Sequence, residues 1–392
     1  MSFFCQNDIL MSRILHIGKY FPPFAGGIEN FLADIMPIQT SQGEVVAAIV
    51  HNHRFSLKMK VQAEIWQQQT IYRVPSCGRL LYAPVSPQFP FWLNRVLHEF
   101  QPELLHLHLP NTSAFWALWQ SEARYIPWVI HWHADVFSVL NKKLAIAYKA
   151  YRPFEQKLLA HAKNIIVTSP PYLTASTALD KWQYKCQVIP LGVNLEHMPT
   201  IETTNQWNSK GVRFLSVGRL SYYKGHEFLI RAMANIDKDK AQLIIVGKGE
   251  QYSDLNKLIK QLNLNDNVKL LGYCSDTELN ALFASCDCFC LASLERTEAF
   301  GVVFLEAMRH NKPIIATDIP GSGVGWVVND GGLLVKPQDV TALANALQKI
   351  INQPLLAANL AKRGQLRLNQ LFDIKNVSAK ISDLYQQVLN YG

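Results

Sequence analysis

The feature of this sequence that most limits its fold is the regular return of short, mostly apolar runs, each followed by a turn and a helical pattern. The runs cover residues 13–21, 44–50, 103–110, 128–133 and 164–170, and then 213–220, 242–249, 268–273, 288–293 and 313–318. Apolar strands that alternate with helices are typical of parallel sheets that helices cover on both faces. The sequence therefore predicts the α/β class, with doubly wound sheets.

The series of runs pauses between residues 190 and 211, where the chain is polar and shows no hydrophobic period. A chain of 392 residues is also too long for one ordinary core. We therefore predict two domains. The division is an N-terminal extension at 1–11, a first domain at 12–190, a linker at 191–211, a second domain at 212–368 and a closing helix at 369–392.

Charge and cysteine content limit the classes of partner. The formal net charge of +8 suits an anionic membrane surface or a phosphorylated substrate, but the cations form no dense stripe, so we expect no nucleic acid partner. Seven scattered cysteines and the lack of a signal-peptide pattern predict a reducing, cytoplasmic location. The sequence CDCFC at 286–290 is interpreted as a half-buried strand, because zinc sites usually use paired C-x2-C motifs.

Ligands of open α/β sheets bind past the carboxyl ends of the strands, so the loops after the runs are the places to expect a site. Gly26 and Gly27 follow the first run and precede a helix, where the backbone N–H groups can bind an anion. A plain glycine turn is the alternative. The loop does not match G-x-G-x-x-G, so a nicotinamide cofactor is not expected.

The fourth run ends in HWHADV, which contains His131, His133 and Asp135. Alternation with a period of two turns both histidines to one face of the strand. His133 is interpreted as a substrate contact or as a structural histidine, and we favour both over a metal site built from these three residues. The similar HLH at 106–108 is interpreted as structural.

Arg219 and Lys224 lie at the carboxyl end of the run at 213–220, where an arginine and a lysine suit the oxygens of a phosphate. A pair of solvated surface cations is the alternative.

The run at 288–293 leads into RTEAFGVVFLEAM, with Gly301 at a predicted helix start. The backbone N–H groups of Phe300, Gly301 and Val302 are therefore predicted to bind a phosphate. Together with the two cations, they predict one anion site.

The ordered set YFPPFAGGIEN, HWHADV, GRLSYYKG and RTEAFGVVFLEAM resembles the retaining glycosyltransferases of family 4. The resemblance extends from about residue 12 to the C-terminal helix and includes the family's E-x7-E pattern at Glu298 and Glu306. It implies the GT-B fold, in which two Rossmann-like domains face each other across an interdomain cleft and a C-terminal crossover helix returns to the first domain.

The resemblance implies a nucleoside diphosphate sugar, GDP- or UDP-linked, as the donor substrate. Arg219 and Lys224 would neutralise the diphosphate, together with the N–H groups around Gly301 and the Gly26–Gly27 loop. The remaining implied roles are ribose binding by Glu306, contact with donor-sugar hydroxyls by Glu298, a place near the reaction centre for His133, a place beside the nucleotide for Gly247, and acceptor binding by Asp135.

The two glutamates are not expected to act as the facing carboxyl pair of a retaining glycosidase, which requires a separation of about 5–5.5 Å. Eight residues of helix would separate Glu298 and Glu306 by roughly 12 Å along the axis. The resemblance implies instead a front-face substitution, in which fixed cations and the helix start stabilise the departing diphosphate. No metal or other cofactor is expected.

The resemblance implies transfer of a hexose, of mannose or glucose type, to a glycan or lipid-linked acceptor in surface polysaccharide synthesis, such as lipopolysaccharide, O-antigen or exopolysaccharide. The segment at 75–92 is rich in aromatic, apolar and proline residues. It is interpreted as a lipid-touching loop or as ordinary packing. With the basic charge, it predicts peripheral association with the inner face of the cytoplasmic membrane. The alternatives are a GT-B-like sugar-nucleotide epimerase and a non-catalytic basic binding protein.

Overall fold

A computed structural model describes residues 12–24, 26–55, 61–80, 83–136, 142–196, 206–207 and 211–390. The predicted extension at 1–11 and much of the predicted linker therefore lie outside the described residues. The strands are β1 (Arg13–Ile17), β2 (Val45–Phe55), β3 (Gln62–Trp66), β4 (Gln69–Ser76), β5 (Gly78–Leu80), β6 (Ala83–Val85), β7 (Leu104–Leu109), β8 (Trp128–Trp132), β9 (Asn164–Val167), β10 (Cys186–Val188), β11 (Val212–Val217), β12 (Ala241–Val246), β13 (Val268–Gly272), β14 (Cys288–Leu291), β15 (Ile314–Thr317) and β16 (Gly332–Val335).

The α-helices are α1 (Gly27–Ser41), α2 (Phe89–Phe100), α3 (Ser121–Tyr125), α4 (Lys142–His161), α5 (Pro170–Ala175), α6 (His226–Met233), α7 (Tyr252–Gln261), α8 (Asp276–Ser285), α9 (Val302–Arg309), α10 (Val324–Val328), α11 (Val340–Asn352), α12 (Pro354–Arg367) and α13 (Ile374–Asn390). Short 3-10 turns cover Thr112–Leu118, Gln183–Lys185, Tyr222–Lys224 and Asn329–Gly331, and a π-helical turn covers Leu368–Phe372.

The chain packs as two compact units. Unit 1 contains the chain up to Thr168, residues Ser176–Ile189 and the C-terminal segment from Ile374, and unit 2 contains Ser169–Ala175 and Pro190–Asp373. The sequence predicts that the chain crosses between the domains at 191–211 and returns at 369, whereas packing also assigns helix α5 to unit 2. The last helix begins at Ile374 rather than at 369, because the π-helical turn before it packs with unit 2.

Unit 1 is built on an eight-stranded sheet with the order β10-β9-β8-β7-β1-β2-β4-β3. All pairs in this sheet are parallel except β3 with β4, which form an antiparallel hairpin at one edge. The chain moves outward from β1 to β2 on one side and to β7 on the other, so the order of strands reverses at β1. Helix α13 packs beside α1 in the same unit, with Tyr385 fully buried.

Unit 2 is built on a six-stranded, wholly parallel sheet with the order β13-β12-β11-β14-β15-β16. Its strands are apolar on both faces, as in β12, where all six residues of AQLIIV are buried. Strand β14 is also buried on both faces, so the prediction of a half-buried strand at 286–290 is wrong. The thiols of Cys288 and Cys290 lie 4.0 Å apart within this core, and both cysteines are free.

The segment at 75–92 is mostly ordered secondary structure rather than an open loop. Strands β5 and β6 form a small antiparallel hairpin, and helix α2 begins at Phe89. Phe89 is fully buried, whereas Leu80 and Phe91 are 68% and 67% exposed. The segment therefore combines ordinary packing with exposed apolar side chains, and the contact with lipid stays a prediction.

Candidate functional site

The sheet of unit 2 reverses its strand order between β11 and β14, because the chain leaves β11 toward β12 and later returns to pair β14 on the other side of β11. Ligands of open α/β sheets bind at such a switch point, outside the carboxyl ends of the strands. The loop after β11 and the loop after β14 meet there, where the N–H of Leu294 donates to the carbonyl of Tyr223 over 2.7 Å. These two loops carry most of the unit 2 residues predicted from the sequence.

The central feature of this site is an ion pair between Lys224 and Glu298. The amine of Lys224 donates to Oε2 of Glu298, and the hydroxyl of Ser293 donates to the same oxygen over 3.0 Å. Both charged residues are buried, at 9% and 7% exposure. Burial works against the charge on Lys224, but the Glu298 carboxylate outweighs it, and the pKa of the amine is raised. The amine is therefore charged and held in place, and it makes one hydrogen bond to the described residues, which leaves two N–H groups for other acceptors.

This pairing adds a contact that the sequence does not predict. The resemblance implies that Lys224 binds the diphosphate and that Glu298 contacts the sugar. The structure joins the two side chains directly, so a change in one affects the other. A carboxylate that is engaged by an amine and a hydroxyl is also poorly suited to nucleophilic attack, as the spacing of the two glutamates suggested.

Helix α9 begins beside this ion pair, with Gly301 as its N-cap residue in the left-handed conformation at φ 79°. A Cβ at Gly301 would lie 2.4 Å from the ring of Phe304, so a larger residue fits neither the backbone nor the space. No side chain caps this helix start. Its first backbone N–H groups, including that of Val302, therefore remain available to an anion.

Phe300 and Glu306, on either side of Gly301 in the chain, differ in their surroundings. The ring of Phe300 is buried and packs edge-on against Phe372, so only its backbone can contribute to an anion site. Glu306 lies on α9, about one turn after its start, and is half-buried.

Gly247 follows β12 and lies where the backbone of its loop comes close to the backbone of the loop after β11. Its φ is 149°, and a Cβ there would lie 1.9 Å from the carbonyl oxygen of Gly218. A side chain at this position would thus push the loop after β12 away from the loop after β11. Arg219, next to Gly218, is exposed and free to reach a ligand outside the sheet.

In unit 1, the predicted phosphate loop already holds a negative group. Gly26 is the N-cap of α1 and Gly27 its first residue, as predicted. However, the carboxylate of Glu29 folds back over this helix start, 2.1 Å from where a Cβ of Gly26 would be. Burial raises the pKa of Glu29. A phosphate could bind at this helix start only after the Glu29 side chain had moved away.

His133 lies directly after β8 and is buried among other histidines. The rings of His131 and His133 are stacked, with centres 4.1 Å apart and planes 7° apart, which confirms that both side chains point to one face. His16, His106 and His108 complete this buried group of rings. Burial lowers the pKa of His133 to about 3, so its ring is neutral at physiological pH.

The ring nitrogens of these histidines lie close enough together for a metal site to be considered. Two sets, His16 with His106 and His108, and His108 with His131 and His133, have nitrogens within 4.8 Å. Asp135 belongs to neither set: it accepts hydrogen bonds from Trp132 Nε1 at 2.9 Å and Ser176 Oγ at 2.6 Å. The metal set considered from the sequence, with Asp135 as a ligand, is therefore not formed.

Several residues of these sites were not found from the sequence. Ser293 holds Glu298, Glu29 covers the start of α1, and Gln39 and Tyr385 contact the histidine group. Ser293 follows an apolar run directly, which is a signal that could have identified it. Gln39 and Tyr385 carry no such signal, because 346 residues separate them in the chain.

Two family profiles match consecutive parts of the chain. "Glycosyl transferase 4-like domain" matches residues 26–192, and "Glycosyl transferases group 1" matches residues 198–367. The chain is 26% identical, over 96% of its length and 99% of the relative's, to the O-antigen chain mannosyltransferase C of Escherichia coli.

Solved structures extend this similarity to the fold. Sucrose-phosphate synthase from Thermosynechococcus elongatus superposes with a TM-score of 0.81 at 26% identity, covering 97% of this chain and all of that one. Anabaena Alr3699/HepE in complex with UDP-glucose superposes with a TM-score of 0.71 at 22% identity, covering 96% and 99% of the two chains.

Proposed function

Because the chain is a glycosyltransferase of the family 4 type with the GT-B fold, we propose that it is a retaining hexosyltransferase that uses a nucleoside diphosphate sugar. The main support for the proposal is the buried ion pair between Lys224 and Glu298. Glu298 lies three residues before Gly301, the N-cap residue of α9. An amine with two spare donors and an uncapped helix start together form a site for a diphosphate.

We propose that the donor diphosphate binds to unit 2 between Lys224, Arg219 and the start of α9. Arg219 is exposed and supplies a planar, permanently charged group, whereas Lys224 is held by Glu298 and supplies a fixed one. Glu306 would bind the ribose from the same helix. In this arrangement Glu298 has two tasks, because the oxygen that holds Lys224 leaves its other oxygen for a sugar hydroxyl.

The chemistry that fits these groups is a front-face substitution. The bond between the anomeric carbon and the diphosphate breaks while the acceptor hydroxyl attacks from the same face, and the hydroxyl proton passes to the departing phosphate oxygen. Fixed cations and the helix start stabilise the charge that develops on the diphosphate. We propose that they make a metal ion unnecessary, and that neither glutamate forms a covalent intermediate.

The acceptor is proposed to be a glycan or a lipid-linked glycan of a surface polysaccharide. This rests on the similarity to an O-antigen mannosyltransferase, which covers nearly the whole of both chains. The hexose is proposed to be of mannose or glucose type, linked to GDP or UDP. His133 and Asp135 of unit 1 are proposed to contact the reacting sugars, a role that rests on the family resemblance.

We further propose contact with a membrane surface through unit 1. Leu80 and Phe91 project apolar side chains into solvent, and the guanidinium of Arg95 lies 4.9 Å from the ring of Trp92 nearby. Among the residues that the structure describes, no helix has the length and apolarity to cross a bilayer. Sedimentation with anionic vesicles tests this: the L80S/F91S variant should sediment less than the wild type, and equal sedimentation would refute the contact.

The function is tested by incubating the protein with a panel of UDP- and GDP-sugars, with and without a bacterial lipid extract, and measuring nucleoside diphosphate release. Release with one donor, and a product that keeps the anomeric configuration, is expected. A changed nucleotide sugar without release would indicate an epimerase. Binding of a donor without any turnover, even with the lipid extract, would indicate a binding protein.

A further inference from the structure

The buried histidines of unit 1 are joined by hydrogen bonds in a fixed order. His16 Nδ1 lies 3.0 Å from His108 Nε2, and His108 Nδ1 lies 2.9 Å from His133 Nε2. The bonded rings lie end to end, because their centres are 5.3 and 5.2 Å apart, much farther than the nitrogens. The planes of His108 and His133 differ by only 13°. This is the geometry of N–H···N bonds between neutral imidazoles.

The same geometry argues against a metal ion. A metal bound to two imidazoles lies in the plane of both rings and about 2.0–2.1 Å from each nitrogen. His131 and His133 are stacked face to face, so their in-plane lone pairs run parallel and do not converge. Between His108 and His133 the nitrogens already lie at hydrogen-bonding distance. The rings are therefore arranged to share protons rather than to surround an ion.

One end of this chain of rings is anchored by an amide. The carbonyl oxygen of Gln39 lies 2.9 Å from His16 Nε2, while its amide nitrogen donates to the Tyr385 hydroxyl over 3.1 Å. The hydroxyl of Tyr385 in turn contacts His106 Nδ1. With the Gln39 amide oriented so that its nitrogen donates to Tyr385, its carbonyl oxygen accepts from His16, which then carries its proton on Nε2.

The proton on Nε2 of His16 fixes the positions of the protons on His108 and His133. A neutral imidazole carries one proton, so Nδ1 of His16 is bare and accepts from Nε2–H of His108. Nδ1 of His108 is then bare and accepts from Nε2–H of His133. The Nδ1 of His133 is left bare, buried and without a partner among the described residues. A buried acceptor with no partner is a hydrogen-bonding position left open.

We propose that Gln39, acting through His16 and His108, sets the tautomer of His133, so that His133 presents a bare Nδ1 that accepts a hydrogen bond from a sugar hydroxyl. Gln39, His16 and His108 are thus positioning residues for His133. The part of the proposal that concerns the sugar hydroxyl rests on the proposed function, whereas the tautomer is a property of the protein alone. Burial keeps the rings neutral, as the pKa values of about 4 for His16 and about 3 for His133 indicate.

The chain offers a matched pair of variants. His106 and His108 lie two residues apart on β7, are fully or almost fully buried, and have rings stacked with centres 4.5 Å apart. Only His108 belongs to the hydrogen-bonded chain that reaches His133. H108F and H106F each replace a buried imidazole by a phenyl ring, so both test packing, but H108F alone disconnects His133 from Gln39.

The tautomer is read by NMR of protein labelled with 15N at histidine, without any substrate. In the wild type and in H106F, the His133 signals should show a protonated Nε2 and a bare Nδ1. In H108F and Q39M, this pattern should be lost. A proton on Nδ1 of His133 in the wild type would overturn the proposal, and so would stoichiometric zinc that shifts the ring nitrogens of His108 and His133.

Turnover is then compared in the same variants. If the tautomer matters for the reaction, H108F should lower kcat by about 10- to 100-fold with little change in donor KM, as for other residues that orient a functional histidine, and H106F should not. An equal loss in both variants would indicate packing alone and refute the positioning role. If neither the wild type nor any variant turns over a donor, the proposed function is refuted. The NMR result on the tautomer of His133 remains valid, because it is measured without substrate.

Discussion

The amine of Lys224 and the carboxylate of Glu298 meet in a buried ion pair, although 74 residues separate them in the chain. Each lies in a loop at the carboxyl end of a strand, Lys224 after β11 and Glu298 after β14, and those two strands are neighbours in the sheet of unit 2. The pair is thus a direct product of the switch in strand order. If a diphosphate binds to Lys224 as we propose, its binding also affects the position of Glu298.

Removing Lys224 is expected to affect both stability and donor binding. K224A leaves a buried carboxylate unpaired, which typically costs about 3–5 kcal/mol in the free energy of unfolding. Donor affinity and turnover should fall together. The double variant K224M/E298L should recover most of the stability, as measured by urea unfolding, but none of the turnover. Unchanged kinetics in K224A would exclude Lys224 from the diphosphate site.

Removing the charge of Glu298 should separate turnover from nucleotide binding. E298Q keeps the size of the side chain but frees Lys224 from its counter-charge, so nucleoside diphosphate should bind at least as tightly as to the wild type. Turnover should fall by about 100-fold or more, because the contact with the donor sugar is altered. Calorimetric titration and a release assay measure the two effects. Weaker nucleotide binding would contradict the assigned role.

The start of α9 can be tested through Gly301. G301A must adopt a positive φ and bring its methyl group against Phe304, so a loss of about 1–3 kcal/mol in stability and weaker donor binding are expected. G43A is the control, since Gly43 also has a positive φ, at 98°, but open space around it and a position in unit 1. If G43A weakened donor binding as much as G301A, the helix start would not be the anion site.

Acid should destabilise unit 1 more steeply than an ordinary domain. Burial lowers the pKa of eight of its histidines, which are His16, His51, His53, His106, His108, His131, His133 and His161. Below about pH 6.5 the unfolded chain binds protons that the folded chain does not, so stability falls with pH. Each histidine contributes up to about 1.4 kcal/mol per pH unit. This loss should extend from about pH 6.5 to about pH 3, the pKa of His133 in the folded protein.

Three carboxyl groups oppose this trend. Burial raises the pKa of Glu29, and it raises the pKa of Glu44 and of Glu155 to about 7, so their stabilisation is present at low pH and is lost as the pH rises. Three groups do not offset eight, and the net effect should be a lower free energy of unfolding at pH 5.5 than at pH 7.5. H106F should reduce the slope. Equal stability at both pH values would show that the histidines are not buried as neutral groups.

A chelator is expected to leave turnover largely intact. In the proposed mechanism, two cations and a helix start supply the positive charge that a divalent ion supplies in other transferases. Release of nucleoside diphosphate should therefore change by less than about twofold in excess EDTA, with a magnesium-restored sample as the control. Complete loss in EDTA that magnesium restores would require a metal ion in the mechanism.

Much of the fold could be predicted from the sequence, because the pattern of apolar residues in a short segment indicates which of its faces are buried. The alternation of apolar runs and helices predicts the parallel sheets, and strands such as β12 and β14 are buried on both faces as such runs require. The hairpin of β3 and β4 was missed. Strand β3, with the sequence QAEIW, contains both polar and apolar residues. It lies at the edge of the sheet, where it pairs with β4 alone.

The sequence by itself determined which residues are candidates for chemistry in this protein: a lysine and an arginine after one strand, a glutamate and a glycine after another, and histidines at the end of a third. These follow from residue type and from the position of each loop. Only the tertiary structure decided their partners. Lys224 is joined to Glu298, Glu29 covers the glycines of α1, and Tyr385 reaches the histidines from the last helix. Such contacts depend on strand order and on side-chain burial, which bring together residues that no local pattern connects.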